Sequence, residues 1–331
     1  MLEVALMIEG QDGLTWPRWQ RITRAAEELG FVGLYRSDHY TNAVPPDIAS
    51  LELWVSLTWL ASHTSRLEFG PIVSPVSFRE PTMTARMAAA VDDLSGGRLQ
   101  LGLGAGWQER EHNNYGFDLL ETGPRFERFT EGLEVITQLL RSDTPVSFEG
   151  AYYTLHEAIL LPRPQRPGGP PIIIGGNGPR RTLPLVARYA DEWNAVFVTP
   201  ARFAELNAQL DGLLAEAGRA PGDVRRSLMM GSLYGRDEQA VVAKLAQAGR
   251  THEELLTSMS PLSAYFTAGR TREELLAGGL LVGTGAEIVV QLRAYAEAGV
   301  QRIMVQWLDL DDIDGLEQFG AEVLRQIHAA A

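Results

Sequence analysis

The 331-residue sequence predicts an α/β protein folded as a parallel (β/α)8 barrel with insertions. Three observations carry this expectation: eight short, nearly continuous apolar runs, helical apolar stripes between them, and glycines or capping patterns where the stripes stop or start. Apolar runs without polar alternation mark parallel strands covered on both faces, which a ring of helices around a barrel provides. A doubly wound open sheet is the other arrangement that this alternation permits.

Strands are expected at 2–8, 31–36, 67–73, 99–103, 172–175, 192–197, 227–234 and 302–308. Trp19, Ile22, Ala26 and Leu29 fall on one helical face before Gly30, and Met83, Met87, Val91 and Leu94 do so before Gly96 and Gly97. Phe126, Phe129, Leu133, Ile136 and Leu140 form a third stripe. Thr284 to Glu287 is a capping-box pattern leading into Ile288, Leu292 and Tyr295, with Gly299 as the stop before the eighth strand. Two stretches interrupt the alternation. Residues 146–155 alternate apolar and polar around Glu149-Gly150 and read as a hairpin, which the Pro-rich run 162–171 extends into one insert, 146–171. Residues 235–283 contain short helical patterns and the pair Tyr265 and Phe266, and read as a second insert that shapes or covers a substrate site. Neither has the character of a domain boundary, so residues 1–331 are expected to form one domain.

Composition narrows the function classes. No window approaches ~18 uninterrupted apolar residues, so no membrane span is expected. No basic segment or small-residue cleavage site surrounds residues 2–8, so no export signal is read. The absence of cysteine excludes disulfides, thiolate metal sites and a cysteine nucleophile, and fits a cytoplasmic setting. A formal net charge of −13 argues against a general nucleic-acid binder. Any anion site must therefore be local.

The strongest candidate for one is Ile172-Ile173-Ile174-Gly175-Gly176-Asn177-Gly178-Pro179-Arg180-Arg181. A buried strand runs into glycines that let the backbone approach a ligand, and proline suits the first turn of the helix that follows. Exposed amides at a helix start beside two guanidinium groups suit a phosphate. In a barrel the chemistry sits at the C-terminal ends of the strands. There the second strand ends in Ser37-Asp38-His39, the third in Val73-Ser74-Pro75, and the fourth in Ala105-Gly106-Trp107. His39 is the natural general acid or base near neutral pH, and Asp38 either tunes it or bonds nearby amides. Gly102, Gly104 and Gly106 have the wrong spacing and place for a dinucleotide fingerprint; small residues there suit a flat ring lying near the backbone, with Trp107 as a wall or as ordinary packing. The segment from Glu109 to Gly116, including Glu111 and His112, reads as a solvated loop without the second histidine a metal site needs. Asp309, Asp311, Asp312 and Asp314 read as helix-capping or solvent-facing, and no metal is assigned.

Together, Ser37-Asp38-His39, the block from Arg79-Glu80-Pro81 to Leu94-Ser95-Gly96-Gly97-Arg98, Leu101 to Trp107, Ile174 to Gly178 and Arg188 to Asn194 resemble the bacterial luciferase-like flavin and deazaflavin oxidoreductases over nearly the whole chain. Within them the chain most resembles the branch that uses the deazaflavin coenzyme F420. The resemblance implies a TIM barrel, a homodimer, a cofactor phosphate on Gly175, Gly176, Asn177 and Gly178 with Arg180 and Arg181 beside it, and a cofactor ring near Asp38, His39, Val73, Ser74, Ala105, Gly106 and Trp107. It also implies a non-prolyl cis peptide in the third strand, at about Pro71-Ile72. One position departs from the pattern: Trp107 stands where the sugar-phosphate dehydrogenases of the branch carry a glutamate, so neither that substrate nor that role is carried over. The expected activity is hydride transfer between coenzyme F420 and a small organic substrate, with His39 as proton donor or acceptor. The alternatives are an FMN-dependent monooxygenase of the same fold and, from another class, an inert anion- or flavin-binding barrel.

Overall fold

In the computed structural model, which describes residues 2–248 and 268–329, the strands close into a ring and the open sheet is excluded. In chain order they are β1 (Glu3–Ile8), β2 (Gly33–Arg36), β3 (Glu68–Pro71) and its continuation β4 (Ser74–Pro75), and β5 (Leu101–Gly104). A separate antiparallel hairpin follows, β6 (Val146–Glu149) with β7 (Thr154–Ala158). Then come β8 (Ile172–Gly175), β9 (Glu192–Val196), β10 (Arg225–Tyr234), β11 (Leu281–Gly283) and β12 (Arg302–Gln306). The order around the ring is β3-β2-β1-β12-β10-β9-β8-β5-β4, all parallel, with β11 paired to the far end of β10. Phe69 N–H donates to Arg98 O and Gln100 N–H to Phe69 O, which joins β3 to the approach of β5 and closes the barrel.

Period-two alternation explains why the strands are apolar throughout. In β1, Val4, Leu6 and Ile8 face the helices, while Ala5 and Met7 point into the barrel with Tyr35, Ile72, Ile173, Met229 and Met304. The helices α1 (Trp16–Leu29), α2 (Leu53–His63), α3 (Pro81–Ser95), α4 (Glu109–Tyr115), α5 (Thr122–Arg141), α6 (Thr182–Tyr189), α7 (Pro200–Glu216), α8 (Glu238–Ala248), α9 (Arg272–Ala277), α10 (Gly285–Glu297) and α11 (Ile313–Phe319) follow, most of them around the outside. The stripes expected on α1, α5 and α10 are the buried ones, and Thr284 with Glu287 forms the capping box. On α3 the buried face is instead Ala85, Ala88, Ala89, Val91 and Asp92, with Met83 and Leu94 exposed. Small residues let α3 pack against its neighbours α2 and α5, and the larger side chains turn outward.

The third strand departs from regularity. It is broken between Pro71 and Ser74, and the cis peptide lies at Ile72–Val73, one bond beyond the expected position. Glycine lets β3 and β5 approach each other: a Cβ on Gly70 would lie 1.8 Å from Gln100 O, and one on Gly102 would lie 2.0 Å from Pro71 O. Within the region expected as the second insert, α8, α9 and β11 are described, and Tyr265 and Phe266 lie outside the described residues.

The N-terminal mouth of the barrel is plugged by charge. Arg302, 1% exposed, donates to the Tyr35 hydroxyl at 2.6 Å and pairs with Glu3 and Glu68 at 2.6 Å and with Glu192 at 3.6 Å. Burial raises the Glu192 pKa against the pull of Arg302. Removing the guanidinium would leave three carboxylates with only Arg225, at 3.7–3.8 Å. Arg302→Leu should therefore lose about 3–5 kcal/mol of stability at pH 7. The deficit should shrink as pH falls and the carboxylates take up protons. Denaturant unfolding at pH 7 and pH 5 checks this, and a small deficit unchanged by pH would contradict it.

Candidate active site

The loops after the strands converge at the C-terminal rim. Just inside it, Gln306 and Gln11 each donate to the Glu9 carboxylate, at 2.6 and 2.9 Å, and Ser37 Oγ donates to Gln11 Oε1 at 2.8 Å. Buried Arg36 reaches Ser56 Oγ and the carbonyl of Leu51, tethering the long loop that follows β2. That loop begins with the candidate acid–base residue.

His39 Nδ1 lies 3.0 Å from Glu111 Oε1, and Gln108 Nε2 lies 3.4 Å from the same nitrogen. Among the described residues Nε2 meets no partner, so it is the nitrogen left to the rim. The other Glu111 oxygen accepts the backbone N–H groups of Tyr40 and Thr41. Glu111 is fully buried, while the His39 side chain is 18% exposed. Burial alone would lower the His39 pKa, but the hydrogen bond and charge of Glu111 outweigh it, with smaller help from Glu9 and Asp38, and the ring titrates above the ordinary histidine range.

The sequence reads Glu111 as part of a solvated loop. The segment is instead helix α4, with Glu111 and His112 as its buried face. His112 is held by the Gln108 carbonyl at 2.7 Å and the Ser77 hydroxyl at 2.8 Å, and burial lowers its pKa. It packs among Phe78 and Phe117. The signal that marks α4 is Gly116, a left-handed stop after a helix whose buried side chains are polar.

Asp38 is clamped rather than paired with His39. Its carboxylate accepts from Ser74 Oγ at 2.7 Å and from both terminal nitrogens of Arg79, which also reaches Glu52 at 3.0 Å. Val73 fits between two strand ends: a Cβ on Gly104 would lie 2.4 Å from Val73 Cγ2, and one on Gly175 2.9 Å from Val73 Cγ1. Gly102 and Gly104 thus make room for protein atoms rather than for a bare ring platform, while Gly106, beside Ser77 and His112, takes a left-handed conformation at φ 85°. Ala105 is half-buried. Trp107 is 62% exposed, so ordinary packing does not account for it, and its ring meets His39 edge-on at 5.7 Å.

The glycine turn carries two kinds of backbone group. Gly176, at φ 124°, donates its N–H to Asn194 O, and its carbonyl accepts the Trp193 indole N–H. Asn177 uses its side-chain amide as a strut, donating to Val196 O and accepting Val196 N–H. The N–H groups of Asn177, Gly178, Arg180 and Arg181 meet no acceptor among the described residues. Helix α6 starts at Thr182, three residues beyond the proline expected to open it, because Gly178 O accepts the N–H groups of Thr182 and Leu183 and closes the turn first. Arg181 lies 5.8 Å over the Phe126 ring, while exposed Arg180 has no partner among the described residues. In the acidic run, Asp312 caps α11 and Asp311 pairs with Arg18 and Arg21.

A family model for luciferase-like monooxygenases matches residues 5–302. The chain belongs to that family. Related proteins include the F420-dependent glucose-6-phosphate dehydrogenase of Kineococcus radiotolerans, 27% identical over 311 residues and covering 90% of this chain and 89% of the relative. A phthiodiolone/phenolphthiodiolone dimycocerosates ketoreductase of Mycobacterium tuberculosis is 34% identical over 217 residues, 62% of this chain and 55% of the relative. Among solved structures, an F420-dependent secondary alcohol dehydrogenase in complex with an F420–acetone adduct superposes with a TM-score of 0.82 at 21% identity, covering 98% of both chains. A monooxygenase from Streptomyces bottropensis gives 0.79 at 18% identity, covering 98% of this chain and all of its own. These structural likenesses establish the luciferase-like TIM-barrel fold.

The two rim histidines should separate on titration. Imidazole NMR across pH, assigned with His39→Ala and His112→Ala, should place His39 above and His112 below the ordinary range near 6.5. Because its folded pKa is raised, the His39 contribution to stability is full below the unfolded pKa and lost as pH rises through the folded one. Coincident titration of both rings near 6.5 would contradict the site described.

Proposed function

We propose that this protein is a coenzyme F420-dependent oxidoreductase that transfers a hydride between the deazaflavin and a small organic substrate. The observation that carries the reading is the meeting, at one barrel rim, of a histidine whose Nε2 and a turn whose backbone N–H groups have no partners among the described residues. Relatives along about 90% of the chain that are F420-dependent dehydrogenases support the choice of coenzyme.

The residues present fit a phosphate-bearing cofactor. Four N–H groups without acceptors among the described residues, at Asn177, Gly178, Arg180 and Arg181, together with the Arg180 guanidinium, which meets no partner among them, would make a cradle for an anion. Gly175 and Gly176 shape the approach to that turn. Asp38, Val73, Ser74, Ala105, Gly106 and Trp107 would line the ring. The coenzyme, when bound, supplies the carbon that gives or takes the hydride. The chain orients the reactants, and His39 holds the proton at Nε2 that the substrate's oxygen takes or returns. Asp38, fixed by Ser74 and Arg79, keeps the strand-end backbone beside His39 in place.

The substrate is not assigned as a sugar phosphate, because the exposed Trp107 indole adjoins His39 where the sugar-phosphate enzymes of the branch carry a glutamate. A single domain acting as a homodimer in the cytoplasm belongs to this reading; among the described residues no helix is long and apolar enough to cross a membrane. The second reading, an FMN-dependent monooxygenase, draws on the likeness to monooxygenase structures.

Titration of the purified protein with coenzyme F420 and FMN side by side separates the two. Coenzyme F420 should bind more tightly, and Arg180→Ala should weaken it about 10- to 100-fold while Arg181→Ala, stacked on Phe126, changes little. A phosphate-free analogue should bind wild type and Arg180→Ala alike. Tight FMN binding without coenzyme F420 binding, with dioxygen consumed by the reduced flavin, would establish the second reading instead.

A further inference from the structure

We infer that Glu111 is the positioning residue for His39: its buried carboxylate fixes the imidazole with Nδ1 inward and favours the cationic ring, so that the Nε2 proton is the one offered to substrate. This rests on the reading that His39 exchanges a proton during hydride transfer. Glu111 comes from α4, far from His39 in sequence, and the contact is direct, with Oε1 3.0 Å from Nδ1.

Three features hold this carboxylate in place. It is fully buried, so water does not compete for its oxygens. Its second oxygen accepts two backbone N–H groups, from Tyr40 and Thr41. It also sits in the first turn of α4, which fixes its backbone. The ring is therefore oriented, its Nδ1–H is retained, and Nε2 faces the rim.

The other charged and titratable groups around the pair do not replace it. Glu9, at the end of β1, is engaged by Gln11 and Gln306, and Asp38, after β2, is engaged by Ser74 and Arg79. Arg79, from the loop after β4, is committed to Asp38 and Glu52. His112, on α4, is held by Gln108 and Ser77, and the Tyr40 phenol is pushed up to about 12, chiefly by burial, and stays neutral. Among the described residues, Glu111 alone touches the imidazole with a charge. When the substrate is reduced, the Nε2–H bond breaks and an O–H bond forms on the substrate's oxygen as hydride reaches its carbon. The ring is left neutral with Nδ1–H still on Glu111, and oxidation runs the same exchange backwards.

The test is Glu111→Gln in the full chain, read by imidazole NMR before any turnover is measured. The His39 pKa should fall by about one to three units, as expected for loss of an opposite charge in contact. With a carbonyl compound the wild type reduces, kcat should fall about 10- to 100-fold, part of the 10²- to 10⁴-fold that acid–base catalysis contributes, while KM stays within a few-fold. The alkaline limb of the kcat profile should move to lower pH with the His39 titration. An unchanged His39 pKa in a variant that melts like wild type overturns the inference. If Glu111→Gln does not fold, Glu111→Asp must move the His39 pKa in the same direction, and no movement there overturns it equally. His39→Ala with undiminished turnover sinks the catalytic reading instead, whatever the NMR of Glu111→Gln shows.

Discussion

The rim is organised by how closely the third barrel strand lies against the fourth. At Gly70 and Gly102 a single added carbon would overlap a backbone oxygen of the neighbouring segment, so side chains are excluded there by hard contact rather than by preference. That approach seats Ile72 and Val73 against the interior cluster and brings Ser74 within 2.7 Å of Asp38. The Val73 side chain in turn requires glycine at 104 and 175, so the start of the phosphate-type turn and the end of the fourth strand are set by the same packing. A change in this contact would be felt at every strand end that faces the candidate site.

Two carboxylates then divide the electrostatic work. Asp38 and Glu111 are both buried and both fully engaged, but by different kinds of donor. Asp38 meets a guanidinium and a hydroxyl, which makes it a rigid post between β2 and β4. Glu111 meets an imidazole and two amides, which ties the candidate acid–base residue to α4. Only the second arrangement leaves a titrating group at the rim. The opposite mouth of the barrel is closed by the Arg302 cluster, at the end away from the candidate site.

The sequence discloses what is local. Continuous apolar strands, the Thr284 capping box and the Ile172–Gly178 turn can be read directly, because periodicity, capping and glycine act over a few residues. It conceals what depends on distant contacts. The polar string of α4 hides its buried face, because Glu111 and His112 are satisfied by Tyr40, Thr41, His39 and Ser77, far away in the chain. Gly102 and Gly104 suggest a ligand platform until the oxygen of Pro71 and the side chain of Val73 are seen to fill that space. Asn177 suggests a ligand contact until its amide is found bonded to Val196. Arg180 and Arg181 are indistinguishable in sequence, and only the Phe126 ring tells them apart.

Family membership fixes the fold, and the two proposed readings of the chemistry differ in how they use a reduced ring: passing a hydride to substrate, or activating dioxygen. Isotope tracing decides between them. Reduced coenzyme F420 carrying deuterium at its reactive carbon, incubated anaerobically with the enzyme and a panel of small carbonyl compounds, should deliver deuterium to the carbon that becomes an alcohol. A product that forms only in air, contains oxygen-18 from labelled dioxygen and lacks deuterium would contradict the assignment.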